Sequence, residues 1–489
     1  MSRKKKNKNT SKQELLKTQA AANQVAIENL ASQPASIQEE IKKERAWLSG
    51  LVGLITFLVI AFSFHGNNTL EHGIELFGTK VASTKHEILL FALLLISVAM
   101  FITEFIRYHI SEQLPIISKH PEINLNLLYH CGIRYFENLI LLWLVVAFYQ
   151  SAGEYGFEAE APFYQAWFLA LDILWEIYLW CGLPYVFITR AFKYNAHFDQ
   201  QSYGILVGRI VKLFISKFPN MGHMSPSLGD NEKQVFLDLI VKMFFAPLMI
   251  VFFCSNFPAV VDAIQIIKHG MPQGFGSQKV NGEIARIGIA FFFSAHTALA
   301  FSAYVLTSRW IGNRNKSINP KLTGWFACLL TFPPFTHMLI TQHFSTPIDP
   351  YLVAPSPILS QIPNQSLVTI AIVLALIFYG LYLLSTLNLG MHFSNLSERK
   401  IITTGPYSVV RHPAYTCKML GVFCITCPLV GLNIYDNNWI VAATLTAGYG
   451  FALFLYFLRA ITEEKHLNGN ASYHAYRSKV VYRFIPGLV

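Results

Sequence analysis

Thr403-Thr404-Gly405-Pro406-Tyr407-Ser408-Val409-Val410-Arg411-His412-Pro413-Ala414-Tyr415 runs straight into two apolar stretches, 413–432 and 438–458, which close on Glu463-Glu464. Ionisable groups flanking membrane-length apolar sequence are costly unless paired, and they are usually kept for function. Taken alone, the first flank reads as a basic loop ending at a helix-starting Pro, the second as a solvated helix start.

The same alternation of polar connection and apolar run fills the chain outward from this point. Of 489 residues 53% are hydrophobic and only 13% charged, too much apolar sequence for one soluble core. A spanning helix needs roughly 20 apolar residues. Ten windows qualify, near 48–64, 87–106, 133–150, 163–189, 235–262, 285–308, 322–342, 366–388, 413–432 and 438–458. The expected fold class is all-α: a polytopic integral membrane protein with about ten transmembrane helices.

Lys and Arg orient these spans, because cytoplasmic connections carry the excess. They crowd the N-terminus (Arg3, Lys42, Lys43, Arg45), the 190–233 connection (Arg190, Lys193, Arg209, Lys212, Lys217), the 309–321 connection (Arg309, Arg314, Lys316, Lys321) and the C-terminal tail. The intervening connections are acidic or bare, with Glu154, Glu158 and Glu160 in one and no Lys or Arg between His343 and Gln365. An even number of spans with both N- and C-termini cytoplasmic satisfies every connection. The net charge of +10 sits where topology and anionic inner-leaflet lipid explain it, so nucleic acid is not an expected partner. The membrane is the inner (plasma) membrane if the source is bacterial and the endoplasmic reticulum if eukaryotic.

Residues 1–46 are polar and read as a disordered or loosely helical tail. No cleavable signal peptide is recognisable, so the first span reads as an uncleaved anchor. Six of the seven cysteines fall inside the spans and read as small apolar residues. Cys424 and Cys427 have metal or redox spacing, but no second pair completes a site, and no metal is expected.

The last hundred residues or so resemble the isoprenylcysteine carboxyl methyltransferase family and its phospholipid methyltransferase relatives. Leu389-Gly390 with Phe393-Ser394 opens the match, Ile402 to Tyr407 and Arg411 to Tyr415 follow, and Arg459, Glu463, Glu464, Tyr473, Tyr476 and Ile485-Pro486 close it. The resemblance implies a cytoplasmic-face site for S-adenosylmethionine. Such a donor carries a cationic sulfonium, an aminocarboxylate and an adenosine, and so wants a carboxylate, aromatic faces and cationic donors. Gly405, Tyr407, Arg411, His412, Pro413, Tyr415, Glu463 and Glu464 are the implied cofactor set. Arg459, one helical turn before Glu463, is placed to orient an anionic acceptor, and these two are the expected catalytic residues. Displacement at a methyl carbon needs mainly alignment. Two positions depart from the family: Cys417 stands where a Gly is usual, and Asn470-Ala471 replaces Phe-Gly. Sterol reductases end in a similar pattern, here Tyr482-Arg483-Phe484-Ile485-Pro486, which keeps a nicotinamide cofactor as an alternative.

A second motif pair precedes this region. Ser294-Ala295-His296-Thr297 and Gln342-His343-Phe344-Ser345 with Ile348-Asp349 resemble the type 2 phosphatidic acid phosphatase and sphingomyelin synthase superfamily. The resemblance implies one His attacking phosphorus and a second, held by Asp, handling the proton. Ala295 replaces Gly, Ala290 replaces an acid, and Thr346-Pro347 interrupts the later spacing. Counting ~1.5 Å per residue puts His296 roughly 20 Å and His343 roughly 27 Å from the basic face. Both then reach the outer half, in one pocket.

The chain therefore reads as a tail (1–46), a lipid-phosphatase-like transmembrane domain (47–365) and a methyltransferase-like transmembrane domain (366–489). Its expected partners are a membrane lipid or lipidated substrate and anionic lipid at the cytoplasmic face; the oligomeric state is open. A lipid phosphatase or phosphotransferase at the outer face is the other enzymatic reading.

Overall fold

The computed structural model describes residues 45–76, 78–112, 125–152, 162–191, 202–216, 228–269, 277–333, 335–344 and 362–488. The basic tail up to residue 44 and Asp349 lie outside the described residues. The protein is an all-α polytopic membrane protein. Nine helices among the described residues are long and apolar enough to cross a membrane. They are α1 (Trp47–Gly66), α2 (Lys85–Glu112), α3 (Leu125–Ala152), α4 (Pro162–Ala191), α6 (Asp230–His269), α7 (Gln278–Val305), α9 (Gln365–Leu389), α10 (Pro413–Tyr435) and α11 (Trp439–Leu467). Three shorter helices, α5 (Gly204–Ile215), α8 (Leu322–Leu329) and α12 (Ala471–Lys479), lie among them in the chain. Strand content among the described residues is two short antiparallel ribbons, Ile74–Leu76 with Thr79–Ala82 and Ser317–Ile318 with Ser397–Glu398.

The seventh apolar window, 322–342, does not form one spanning helix. It is α8, a turn, and a wide-pitched helical stretch at His337–Thr341. Pro333-Pro334 in mid-window removes two backbone donors and blocks helix continuation. The segment nevertheless tracks α11 in the opposite direction. Ser317 Oγ lies 3.2 Å from His466 Nε2, Thr331 Oγ1 lies 2.9 Å from Arg459 Nη1, and the Phe344 ring packs on Phe451 at 6.3 Å. From 466 back to 451 a helix rises about 22 Å, so the broken segment covers most of the depth that a seventh crossing requires.

One hydrophobic core runs through the bundle, from Phe57, Leu93 and Phe253 to Leu299, Tyr379, Ile425 and Leu445, with no break at 365/366. α7 packs on α6 and α9, and α9 on α10. Small residues permit close approach at these crossings: a Cβ on Gly50 would fall 2.2 Å from the Leu387 carbonyl oxygen, so α1 and α9 meet backbone to backbone. Ser97 and Ser302 share a buried hydrogen bond of 2.8 Å between α2 and α7. Exposed Phe136, Trp143 and Phe148 on α3 face outward as lipid-contacting side chains do.

Candidate active site

The inner end of α11, the 403–415 loop and the C-terminal tail meet at the basic end of the bundle. Gly405 has φ +58, and a Cβ there would fall 1.6 Å from Asn388 Nδ2, which donates to the Thr404 carbonyl at 3.0 Å. Only glycine fits this turn. Pro413 begins α10, where a missing N–H goes unnoticed. Two backbone bonds tie the loop to the tail: Arg411 N–H to Tyr482 O and His412 N–H to Arg483 O, each 3.0 Å.

Glu464 is the hub of this junction. Its carboxylate accepts from Arg411 Nε (2.9 Å), His412 Nε2 (3.1 Å), Arg483 Nε (2.9 Å) and Arg483 Nη2 (2.8 Å). Because a carboxylate only accepts, His412 carries its proton on Nε2 here. These bonds in turn hold the Arg483 guanidinium above its usual value. Arg411 Nη1 donates to the Val480 and Val481 carbonyls at 2.9 and 2.6 Å. Glu464 is thus occupied in joining helix, loop and tail and lies off the cavity wall, while Arg411 makes the same junction and also lines the cavity.

Glu463 does face a cavity, of about 140 Å³. Tyr415 OH donates to its Oε2 at 2.6 Å, and the His412 and Tyr415 rings stack at 5.2 Å and 12°. Tyr407, Arg411, His412, Tyr415, Tyr473 and Tyr476 share the lining with Glu463. Burial pushes the Tyr407, Tyr473 and Tyr476 phenols up, so they stay protonated at neutral pH. The facing wall is His392, Asn395, Arg399 and Lys400. Burial lowers Arg399 to about 10, still cationic at neutral pH. Gly405, Pro413 and Glu464 shape the site without lining the cavity.

Four buried polar atoms of lining residues have no hydrogen-bond partner: His392 Nδ1 and Nε2, Arg399 Nη2 and Tyr473 Oη, although Nε2 lies 3.3 Å from the Glu104 carboxylate. Each such orphan costs about 1–3 kcal/mol, which a ligand pairing with it would recover. Two carboxylates (Glu463 and Glu398), aromatic faces and a cationic wall fit the donor chemistry the sequence implies, so the residues present suit S-adenosylmethionine.

Arg459 is placed differently from expectation. Its Nη1 donates to Thr331 Oγ1 at 2.9 Å and its Nη2 to Asn395 Oδ1, while the guanidinium lies 4.8 Å from the Tyr415 ring and 5.1 Å from Phe332. It is buried and absent from the cavity wall, bracing Tyr415 from behind.

His296 and His343 are not brought together. His296 is buried, with Nδ1 2.8 Å from Thr386 Oγ1 and Nε2 2.7 Å from Tyr382 OH, both on α9. Those partners lie about 5–10 Å from the inner end of α9. His296 therefore sits in the inner half, beneath Phe393, because α7 ends at Val305 and the residues beyond add no helical rise. His343 is exposed, beside Phe344, which packs on Phe451 about 18 Å along α11 from Glu463. Asp349 is outside the described residues.

Sequence reasoning missed Glu104. It is fully buried on α2, bonded by Arg107, with Oε1 3.3 Å from Nε2 of the cavity residue His392. An ionisable residue inside the second apolar window was the available signal. Arg399 and Lys400, lying between the quoted motifs, carried none. The departures have local roles: Asn470 caps α12 through Ser472 N and donates to Glu398 Oε1 at 2.6 Å, and Cys417 packs against the core.

Fold and site together define a polytopic membrane protein with a polar cavity at its basic end. The chain is 31% identical over 78 residues to the nickel-cobalt-cadmium resistance protein NccN of Alcaligenes xylosoxydans xylosoxydans, a match covering 16% of this chain and 32% of that one. The chain thus spans about a third of the length of the curated relative it matches. No family model matches, and no solved structure matches. Among the described residues no group of three or more His, Cys, Asp or Glu side chains is placed to hold a metal ion.

Proposed function

We propose that the chain is an integral membrane methyltransferase that binds S-adenosylmethionine in the 140 Å³ cavity and acts on a lipidic or prenylated acceptor at the cytoplasmic face. The observation that carries this reading is the convergence of Tyr407, His412, Tyr415, Glu463, Tyr473 and Tyr476, distant in sequence, on one cavity opposite Arg399 and Lys400. The donor would supply an electrophilic methyl group on a cationic sulfur. Glu463, fixed by Tyr415, complements that cation, and Arg399 and Lys400 complement its carboxylate. Arg459 acts through Tyr415 and Asn395, as a positioning residue. α9, α10 and α11 expose Ile370, Leu381, Phe423 and Phe454 beyond the cavity, which favours an acceptor whose tail stays in the bilayer. The membrane is the inner membrane of a bacterium or the endoplasmic reticulum.

Calorimetry on the purified protein tests the reading. Heat is expected with S-adenosylmethionine and S-adenosylhomocysteine and none with NADPH; the reverse would move the chain to the reductase-like alternative. Lipid mass spectrometry of cells with and without the protein, scanned for the mass of one added methylene, would identify the acceptor.

A further inference from the structure

A second cavity, of about 120 Å³, lies where the start of α5, the first turns of α6 and the 307–318 connection meet. Asp238 organises it. Tyr203 OH donates to Asp238 Oδ2 at 2.5 Å, Asn315 Nδ2 donates to Oδ1, and Lys242 Nζ lies 3.7 Å from Oδ2. Arg314 and Lys316 line the same space. Behind the wall, Arg399 Nε donates to Asn315 Oδ1 at 2.6 Å, and Ser317 Oγ bonds Glu398 at 3.1 Å. Arg314 and Lys316 thus give the cavity two cationic side chains beside the Asp238 carboxylate.

The depth of this cavity follows from α5. That helix has 12 residues, too few to span, and exposes Ile210, Val211, Phe214 and Ile215 beside Lys212. An amphipathic helix of this kind lies in the boundary between headgroups and acyl chains. Tyr203, the residue before it, carries that level into the cavity. The surrounding connections are the basic ones, facing the leaflet whose surface is negative.

We propose that the second cavity binds the phosphate of an anionic inner-leaflet lipid headgroup. Arg314 and Lys316 meet the phosphate oxygens as charge-assisted donors, while Asp238 holds Tyr203 and Asn315 in position. The site does not depend on methyl-donor binding, so either reading stands if the other fails.

Native mass spectrometry of the full-length protein in detergent, titrated with phosphatidylglycerol and with phosphatidylcholine, tests it. The parent should retain phosphatidylglycerol in preference. Arg314→Gln and Lys316→Gln should each lower that retention about tenfold or more. Lys316 is exposed, so its variant folds and carries the test alone if Arg314→Gln does not. Lys212→Gln removes a cation at the same depth outside the cavity and should change retention little. Equal retention of both lipids by the parent, or equal losses in Lys212→Gln and Lys316→Gln, would reduce the effect to diffuse surface attraction and overturn the site. Displacement of the lipid by inorganic phosphate alone would make a free anion the ligand and overturn the headgroup assignment.

Discussion

Glu464→Gln should release the C-terminal tail from the 403–415 loop while the bundle stays folded. Glu464 accepts four N–H donors from Arg411, His412 and Arg483, and its side chain is only 5% exposed. An amide keeps one acceptor oxygen and turns two N–H donors toward Arg411 and Arg483. Breaking a buried ion pair by neutralising one member costs roughly 3–5 kcal/mol. Arg483, 22% exposed, recovers part of this through water, so about 3 kcal/mol is the working figure. At ~1.4 kcal/mol per factor of ten this is about a hundredfold in the docking equilibrium. The amides of Arg411 and His412, donated to the Tyr482 and Arg483 carbonyls, report that equilibrium through hydrogen exchange. Their exchange should accelerate about a hundredfold in Glu464→Gln. In Glu463→Gln it should be unchanged, while the affinity for S-adenosylmethionine falls about ten- to a hundredfold. Unchanged exchange in Glu464→Gln, or equal acceleration in both variants, would refute the division of labour between the two glutamates.

Tyr473→Phe removes a hydroxyl without a partner, so the melting temperature of the ligand-free protein should hold or rise, while calorimetry should show roughly fivefold weaker binding of the methyl donor. Gly405→Ala places a methyl on Asn388 at a left-handed φ and should cost about 1–3 kcal/mol of stability, seen as a lower melting temperature, and weaken donor binding with it. Gly50→Ala should separate α1 from α9, seen as a lower melting temperature in detergent; an unchanged melting curve would show that the Leu387 backbone yields.

Nine of the ten apolar windows become membrane-length helices because apolar length and helix formation coincide wherever the backbone can complete its own hydrogen bonds. Prolines alone do not break them: Pro184, Pro247, Pro258 and Pro428 lie inside α4, α6 and α10. The seventh window fails where two prolines adjoin, since the loss of two successive donors is harder to re-satisfy than the loss of one. Hydropathy counts apolar atoms and is blind to that difference, although the segment still runs down α11 by side-chain contact.

The site was legible to the level of which residues gather, and not to the level of what each does. Tyr407, His412, Tyr415 and Glu463 share a cavity because a motif order along the chain is kept by three short connections. Glu463 and Glu464 are chemically identical neighbours, and only the 100° helical step between them, together with the docked tail, turns one to the cavity and the other to Arg411 and Arg483. Cations divide in the same way: Arg411 is consumed by two tail carbonyls and Arg459 by Thr331 and Asn395, leaving Arg399, outside every motif, with an unpaired N–H in the wall. His296 looked like half of a second catalytic pair because its partners, Tyr382 and Thr386, are nearly ninety residues downstream, across the junction proposed between the two domains. The same junction is bridged by Glu104 reaching His392 and by Gly50 against Leu387, so the cavity wall, formed by residues between 389 and 476, is backed by the N-terminal half of the chain. The contacts that hold His392 and the C-terminal end of α9 cross the division expected at 365/366.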